Sequence, residues 1–295
     1  MELPLVVGID GSEGSFTALD WAVAEAIRRG AHVHLVYASL WEAYEGPPAI
    51  PAPPPPGREL AERILAAAGE RVRALTQDVK FTASVLTADT VPALLRESAG
   101  ASLLVLGHRG RGSMPGLLLG TTALAVVARA RCPVVVVRGG EPHRQGEHHR
   151  VVVGVGDAKE SAQAALFAFA EAELRDRRLD AVHAWRCPER ALPVHPHTIG
   201  GAADPHLRDA QWTLDRAIRG LAAEHPRIEV RQTVLEGRAR DALLAEGATA
   251  DLLVVGARPR AERQSGMQLG EVSHAVLHHA PCPVVVVPQR DPDAA

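Results

Sequence analysis

The sequence predicts a tandem α/β protein, in which two successive domains are each built on a five-stranded parallel sheet with helices on both faces. Three observations predict it. The chain has 295 residues, the length of two domains of ~150 residues. Its second half repeats its first. Within each half, short apolar runs alternate with segments of helical periodicity, the pattern of βαβ crossovers.

The repeat is visible at three places. Leu5-Val-Val-Gly-Ile-Asp10 returns 146 positions later as Val151-Val-Val-Gly-Val-Gly156. Val85-Leu86 through Gly107 runs parallel to Val234-Leu235 through Gly256 at an offset of 149 without a gap. Cys132-Pro-Val-Val-Val-Val137 returns as Cys282-Pro-Val-Val-Val-Val287 at an offset of 150. The expected domains are 1–140 and 149–290, joined by a linker over 141–148, where the chain is polar, contains Gly and Pro and lacks periodicity.

In the first domain, strands are expected at Leu5–Ile9, Val33–Tyr37, Phe81–Leu86, Leu103–Leu106 and Val134–Val137. The first, fourth and fifth are continuous apolar runs, which fits burial on both faces. The third places Phe81, Ala83 and Val85 on one side, which suits an edge. A helix over Ser15–Arg28 sets Leu19, Val23, Ala26 and Ile27 on one face, with Ser12 or Ser15 available as its cap. The proline run Gly46–Gly57 is expected to be a surface loop, with a proline-recognition ligand as the sharper alternative.

Composition removes several function classes. Hydrophobic residues make up 46% and charged residues 23%, which excludes disordered and fibrous chains. Lys and Arg number 32 against 35 Asp and Glu, so the net charge of -3 supplies no basic field for a nucleic acid. No apolar run approaches the roughly 20 residues of a membrane helix, and the start carries no export signal, so a cytoplasmic protein that avoids the membrane is expected. Cys132, Cys187 and Cys282 are too scattered for a disulfide framework or zinc site and read as small buried hydrophobes. His148-His149, His195-Pro-His197 and His278-His279 lack a helical i, i+4 pair with an attendant carboxylate, so surface roles are expected.

The chemistry concentrates after the fourth strand, in Gly107-His108-Arg109-Gly110-Arg111-Gly112-Ser113 and on to Gly120-Thr121-Thr122 at the start of a helix. Open α/β sheets bind ligands beyond the carboxyl ends of their strands. Glycines let the backbone approach an anion, the Thr hydroxyls can donate to phosphate, and His108, Arg109 and Arg111 add positive charge. The plainer alternative is a flexible turn followed by a Thr-capped helix. Neither the Walker A pattern nor the Rossmann fingerprint is present, and no nucleophile elbow or paired carboxylates indicate dedicated catalysis.

Gly107-x2-Gly110-x9-Gly120-Thr121, together with Val-Gly-Ile-Asp10-Gly-Ser near the start, resembles the ATP-binding class of the universal stress protein family. The likeness covers nearly the whole chain, twice. It implies a Rossmann-like sheet of strand order 3-2-1-4-5 in each domain. It further implies ATP, with Mg²⁺, in the first domain: Asp10 and Gly107 at the ribose, backbone near Val36 at the adenine, Gly110, Gly120, Thr121 and Thr122 at the phosphates, and Gly8 leaving room. Asp10 has a second reading as a helix or turn cap.

The second domain departs from the motif, with Gly156 in place of Asp10, Pro259 in place of Gly110 and Glu271 in place of Thr121. A degenerate or vacant site is expected there. In single-domain members of the family the last strand pairs across a dimer, so pairing of Val134–Val137 with Val284–Val287 within one chain is expected, with a homodimer of chains beyond that. The expected function is a cytoplasmic ATP-binding stress-response regulator with at most slow hydrolysis. The alternatives are a nucleotide-independent interaction scaffold and an adenylate-transferring enzyme.

Overall fold

The computed structural model describes residues 3–40, 56–111, 118–186, 205–257 and 269–289. It divides into two compact units, Met1–Arg138 and Gly139–Ala295. The first contains β1 (Leu5–Gly8), α1 (Glu13–Arg29), β2 (Val33–Ser39), α2 (Pro56–Leu75), β3 (Phe81–Thr87), α3 (Thr90–Glu97), β4 (Leu103–Gly107), α4 (Thr121–Val127) and β5 (Val134–Val137). The second contains α5 (Glu141–Gln145), β6 (Arg150–Gly154), α6 (Ala158–Arg175), β7 (Arg178–Trp185), α7 (Pro205–Glu224), β8 (Val230–Glu236), α8 (Ala239–Gly247), β9 (Leu252–Gly256), α9 (Glu271–His279) and β10 (Val284–Val287).

Within the first unit the strands lie in the order β3-β2-β1-β4-β5, and within the second in the order β8-β7-β6-β9-β10, so both follow the 3-2-1-4-5 pattern. Every pairing inside a unit is parallel. The apolar runs behave as their composition demands: Leu5, Val7, Leu103, Leu104, Val105, Val135 and Val136 are fully buried, because helices cover both faces of the central strands. β2 extends to Ser39, since its pairing with β3 continues through Ser39 and Thr87.

β3 does lie at the edge of its sheet, but without the expected alternation. Ala83 is exposed, while Ser84, Val85 and Leu86 are half-buried. A strand paired on one side and only partly covered by α2 is shielded by position more than by side-chain parity.

α1 shows how local chemistry sets an element. Ser12 is its N-cap, with its hydroxyl accepting from the Ser15 amide at 3.1 Å; Glu13 sits in the first turn, and Gly30 closes the helix at φ 64°. Ala18, Leu19, Ala22, Val23 and Ala26 are buried, whereas Ile27 is 51% exposed and falls off the face expected to hold it. Leu19 and Ile27 are eight residues apart, which turns Ile27 about 80° from Leu19 around the axis. Arg71 of α2 makes a two-pronged bond to Asp20 of α1, at 2.5 and 2.6 Å, and fixes the two helices against each other.

α2 begins at Pro56, a residue suited to a first helical turn. The rest of the proline run, residues 41–55, lies outside the described residues. In the stretch expected as a linker, Glu141–Gln145 form a one-turn helix, closed by Gly146 at φ 80°. His143 Nδ1 lies 2.8 Å from the Ala250 carbonyl, and the His148 amide donates to Asp251 at 2.9 Å. These bonds tie the stretch to the second unit, and Gly139 approaches Pro281 too closely for any side chain there.

Candidate functional site

β1 and β4 flank the point where the strand order of the first unit reverses. At the carboxyl ends of β1, β2 and β4, a cavity of about 440 Å³ opens. Gly8, Asp10, Val36, Gly107, Arg109, Gly110, Arg111, Gly120, Thr121 and Thr122 all line it. His108 does not: its amide donates to the Val137 carbonyl at 3.1 Å and its carbonyl accepts from Gly120 at 2.8 Å, so its backbone holds the loop in place. Gly112 and Ser113 lie outside the described residues.

Tyr37 and Ala38 at the end of β2, Leu106 of β4, and Thr90 and Leu94 of α3 also line the cavity, without a local motif that marks them in the sequence. The Thr90 hydroxyl donates to the Ala38 carbonyl at 3.1 Å and brings α3 over the cavity. Leu94 could have been singled out as the inward position of an amphipathic helix, although nothing in its local sequence says which cavity it meets.

Asp10 is both a turn residue and a loop anchor. Its Oδ1 accepts from the Ser12 amide at 2.9 Å and the Ser12 hydroxyl at 2.6 Å, while its Oδ2 accepts from the amide of Arg111 at 2.8 Å. Burial alone pushes this carboxyl up, but the bonds from Ser12 and Arg111 outweigh it and hold its pKa below the ordinary 3.8. A lowered pKa in the folded state means that Asp10 stabilises the fold above the unfolded value, and that this contribution disappears as pH falls through the folded value.

The glycines divide into two groups. A Cβ on Gly107 would lie 2.5 Å from the Gly14 carbonyl oxygen, one on Gly14 would lie 2.4 Å from the Arg109 carbonyl oxygen, and one on Gly110 would lie 2.4 Å from Asp10 Oδ2. These three are glycine because the loop after β4 lies directly on the first turn of α1 and on the Asp10 carboxylate that precedes it. Gly120 differs, since its nearest neighbour to a Cβ would be the His108 carbonyl oxygen at an ordinary 3.6 Å. It is the N-cap of α4 and contributes no side chain to the amides of the first turn. Protein packing does not demand a glycine there, whereas close approach of a ligand would.

A second cavity of about 300 Å³ occupies the equivalent edge of the second unit, lined by Gly154, Val155, Val182, Gly256, Gly270 and Glu271 among others. Pro259 and the charged loop around it lie outside the described residues.

His274 and His278 form an i, i+4 pair on α9 beyond the histidine clusters expected from the sequence, with ring centroids 4.4 Å apart. Among the described residues, no three His, Cys, Asp or Glu side chains converge as a metal site would need. Cys132 and Cys282 are buried. Burial pushes the Cys132 thiol up to about 12, so it is expected to stay unmodified by iodoacetamide at pH 8 in the folded protein and to react on unfolding. Rapid labelling of native protein at Cys132, located by peptide mass mapping, would contradict that burial.

A repeated parallel sheet of order 3-2-1-4-5 with a cavity at its switch point defines a tandem protein of the Rossmann-like α/β class. The model of the universal stress protein family matches residues 3–138 and again 147–288, and the chain belongs to that family. It is 32% identical over 296 residues to a universal stress protein of Mycobacterium tuberculosis (strain ATCC 25618 / H37Rv), with 97% of each chain covered. A second universal stress protein of the same strain is 32% identical over 315 residues, covering 97% of this chain and 96% of the relative. Among solved structures, a universal stress protein from Archaeoglobus fulgidus DSM 4304 shares the fold with a TM-score of 0.70 at 19% identity, covering 97% of this chain and 98% of that one. No described helix is long and apolar enough to cross a membrane.

Proposed function

We propose that the first unit binds ATP with Mg²⁺, and that the protein is a cytoplasmic, nucleotide-dependent regulator of the stress response. The observation that carries this reading is the cavity itself: Gly120, Thr121 and Thr122 line one end of it without a packing reason for the glycine, and Arg109 and Arg111 line it with positive charge. The apolar end, with Val36, Ala38, Leu94 and Leu106, suits a planar base. Thr121 and Thr122 would hold phosphate oxygens, and Mg²⁺ would arrive on those phosphates with most of its water, as an ion that dehydrates reluctantly does. Asp10 is the only carboxylate among the described lining residues. Its oxygens are engaged and its basicity is lowered, so it is a poor general base and turnover is slow.

The test is the nucleotide content of the purified chain, released by denaturation before and after incubation with ATP and Mg²⁺. About one ATP per chain is the expected result; none would overturn the reading, and two would overturn the assignment to the first unit alone. Because Asp10 anchors the loop through the Arg111 amide, Asp10→Ala is expected to weaken ATP at least tenfold and inorganic tripolyphosphate by a similar factor. A residue acting only on the ribose would leave tripolyphosphate unaffected. The family resemblance also supports a homodimer, for which light scattering should give twice the mass of the chain.

A further inference from the structure

We infer that the cavity of the second unit is a binding site for an uncharged adenine-type purine, base or nucleoside, and that it excludes nucleotides. This rests on the ATP reading of the first cavity. The two cavities are built from equivalent positions of the repeat, and their differences are not spread evenly. At the apolar end, Gly154, Val155, Val182, Ala184, Leu243 and Val255 stand where the first unit has Gly8, Ile9, Val36, Ala38, Leu94 and Leu106. Apolar character is retained there, and the same two positions crowd the glycine with the nearer one exchanged: a Cβ on Gly154 would lie 2.8 Å from Leu243 and 3.5 Å from Val255, one on Gly8 2.6 Å from Leu106 and 3.5 Å from Leu94.

Among the described residues, the other end differs in charge. Thr121 and Thr122 are replaced by Glu271 and Val272 in the first turn of α9, so a carboxylate stands where a phosphate would sit. The Arg240 guanidinium reaches Glu271 only at 3.5 Å, and the Glu271 side chain remains 81% exposed. No cation is among the described residues that line this cavity, against Arg109 and Arg111 in the first. Gly156 replaces Asp10, and its amide is already satisfied by Ser161 Oγ at 2.8 Å. The Ser273 hydroxyl donates to the Gly256 carbonyl at 3.2 Å. Among the described residues, what remains is a smaller slot of about 300 Å³ with apolar walls and the Glu271 carboxylate at one end, which suits the base without its phosphates and disfavours the charged nucleotide.

The experiment is equilibrium dialysis of the full chain against labelled adenosine, with a parallel arm in adenine, in the presence of saturating ATP and Mg²⁺ carrying a second label. The expected result is one purine per chain, not displaced by a tenfold excess of ATP or AMP, and lost in Ala184→Phe, whose ring fills the cavity. Ala239→Phe, at the rim and outside the sheet, gives the same loss should the first variant fold poorly. Glu271→Gln is expected to leave purine binding within about twofold while improving competition by AMP about fivefold. Absence of a bound purine, its displacement by ATP, or its survival in both phenylalanine variants would overturn the inference. The ATP label separately reports the first cavity, so failure of that reading is seen on its own.

Discussion

Replacing Gly107 with valine is expected to lower the stability of the protein by about 3 kcal/mol and to abolish ATP binding. The new Cβ would lie 2.5 Å from the Gly14 oxygen, 2.6 Å from the Gly14 carbonyl carbon and 3.1 Å from the Ser15 nitrogen, all of them backbone atoms that cannot rotate away. Gly107 cannot retreat in the opposite direction, because it is paired with Val137 of β5. Relief requires the first turn of α1 to move, and that turn carries Ser12 and, through it, Asp10. Thermal unfolding and calorimetric titration with ATP measure the two effects. Gly100→Ala, with nothing within 4 Å of the added carbon, is the neutral control. Wild-type affinity in a Gly107→Val variant would show that the contact between the loop and α1 does not shape the cavity.

Arg150→Ala is expected to cost the second unit about 3 kcal/mol. Arg150 is 8% exposed, and it forms an ion pair with Asp180, which is only 1% exposed. It also donates to Glu246 at 2.6 Å and to the Thr249 hydroxyl at 2.5 Å. Truncation leaves the buried Asp180 carboxylate with Arg178, at 2.8 Å and on the more exposed side, as its remaining cation. The paired variant Arg150→Met with Asp180→Leu is expected to recover most of the loss, since the charge left behind dominates the cost. Chemical denaturation of both variants decides this. A loss below about 0.5 kcal/mol for Arg150→Ala would place the network with exposed ion pairs, which contribute little.

The candidate site was legible to the extent that glycine, threonine and arginine report their own chemistry. Ten of the residues expected at the nucleotide do line the cavity. The reasons for several of them are different from those the motif suggests. Gly107 and Gly110 are required by Gly14 and Asp10, positions far away in sequence, while Gly120 alone has the room that a ligand would use. Asp10 admitted two readings, as a cap and as a ribose contact, and the fold gives it a third partner in the Arg111 amide, 101 positions along the chain. His108 bears a titratable side chain, yet it is its backbone that positions Gly120.

By itself the sequence determined what depends on neighbours along the chain: the repeat, the strands, the cap of α1 at Ser12 and the loss of the phosphate motif in the second half. Apolar run length, helical periodicity and turn chemistry are local properties, and a parallel sheet buried on both faces leaves them a plain signature. Only the tertiary structure decided which distant segments meet. Thr90 and Leu94 reach the first cavity because α3 crosses above β2, and the polar stretch before β6 becomes structured because Asp251 accepts the amides of His148 and Arg150. The second unit keeps a cavity although its motif is lost, because the apolar residues that shape the cavity also build the ends of the strands. Packing requires those residues whether or not a phosphate is held.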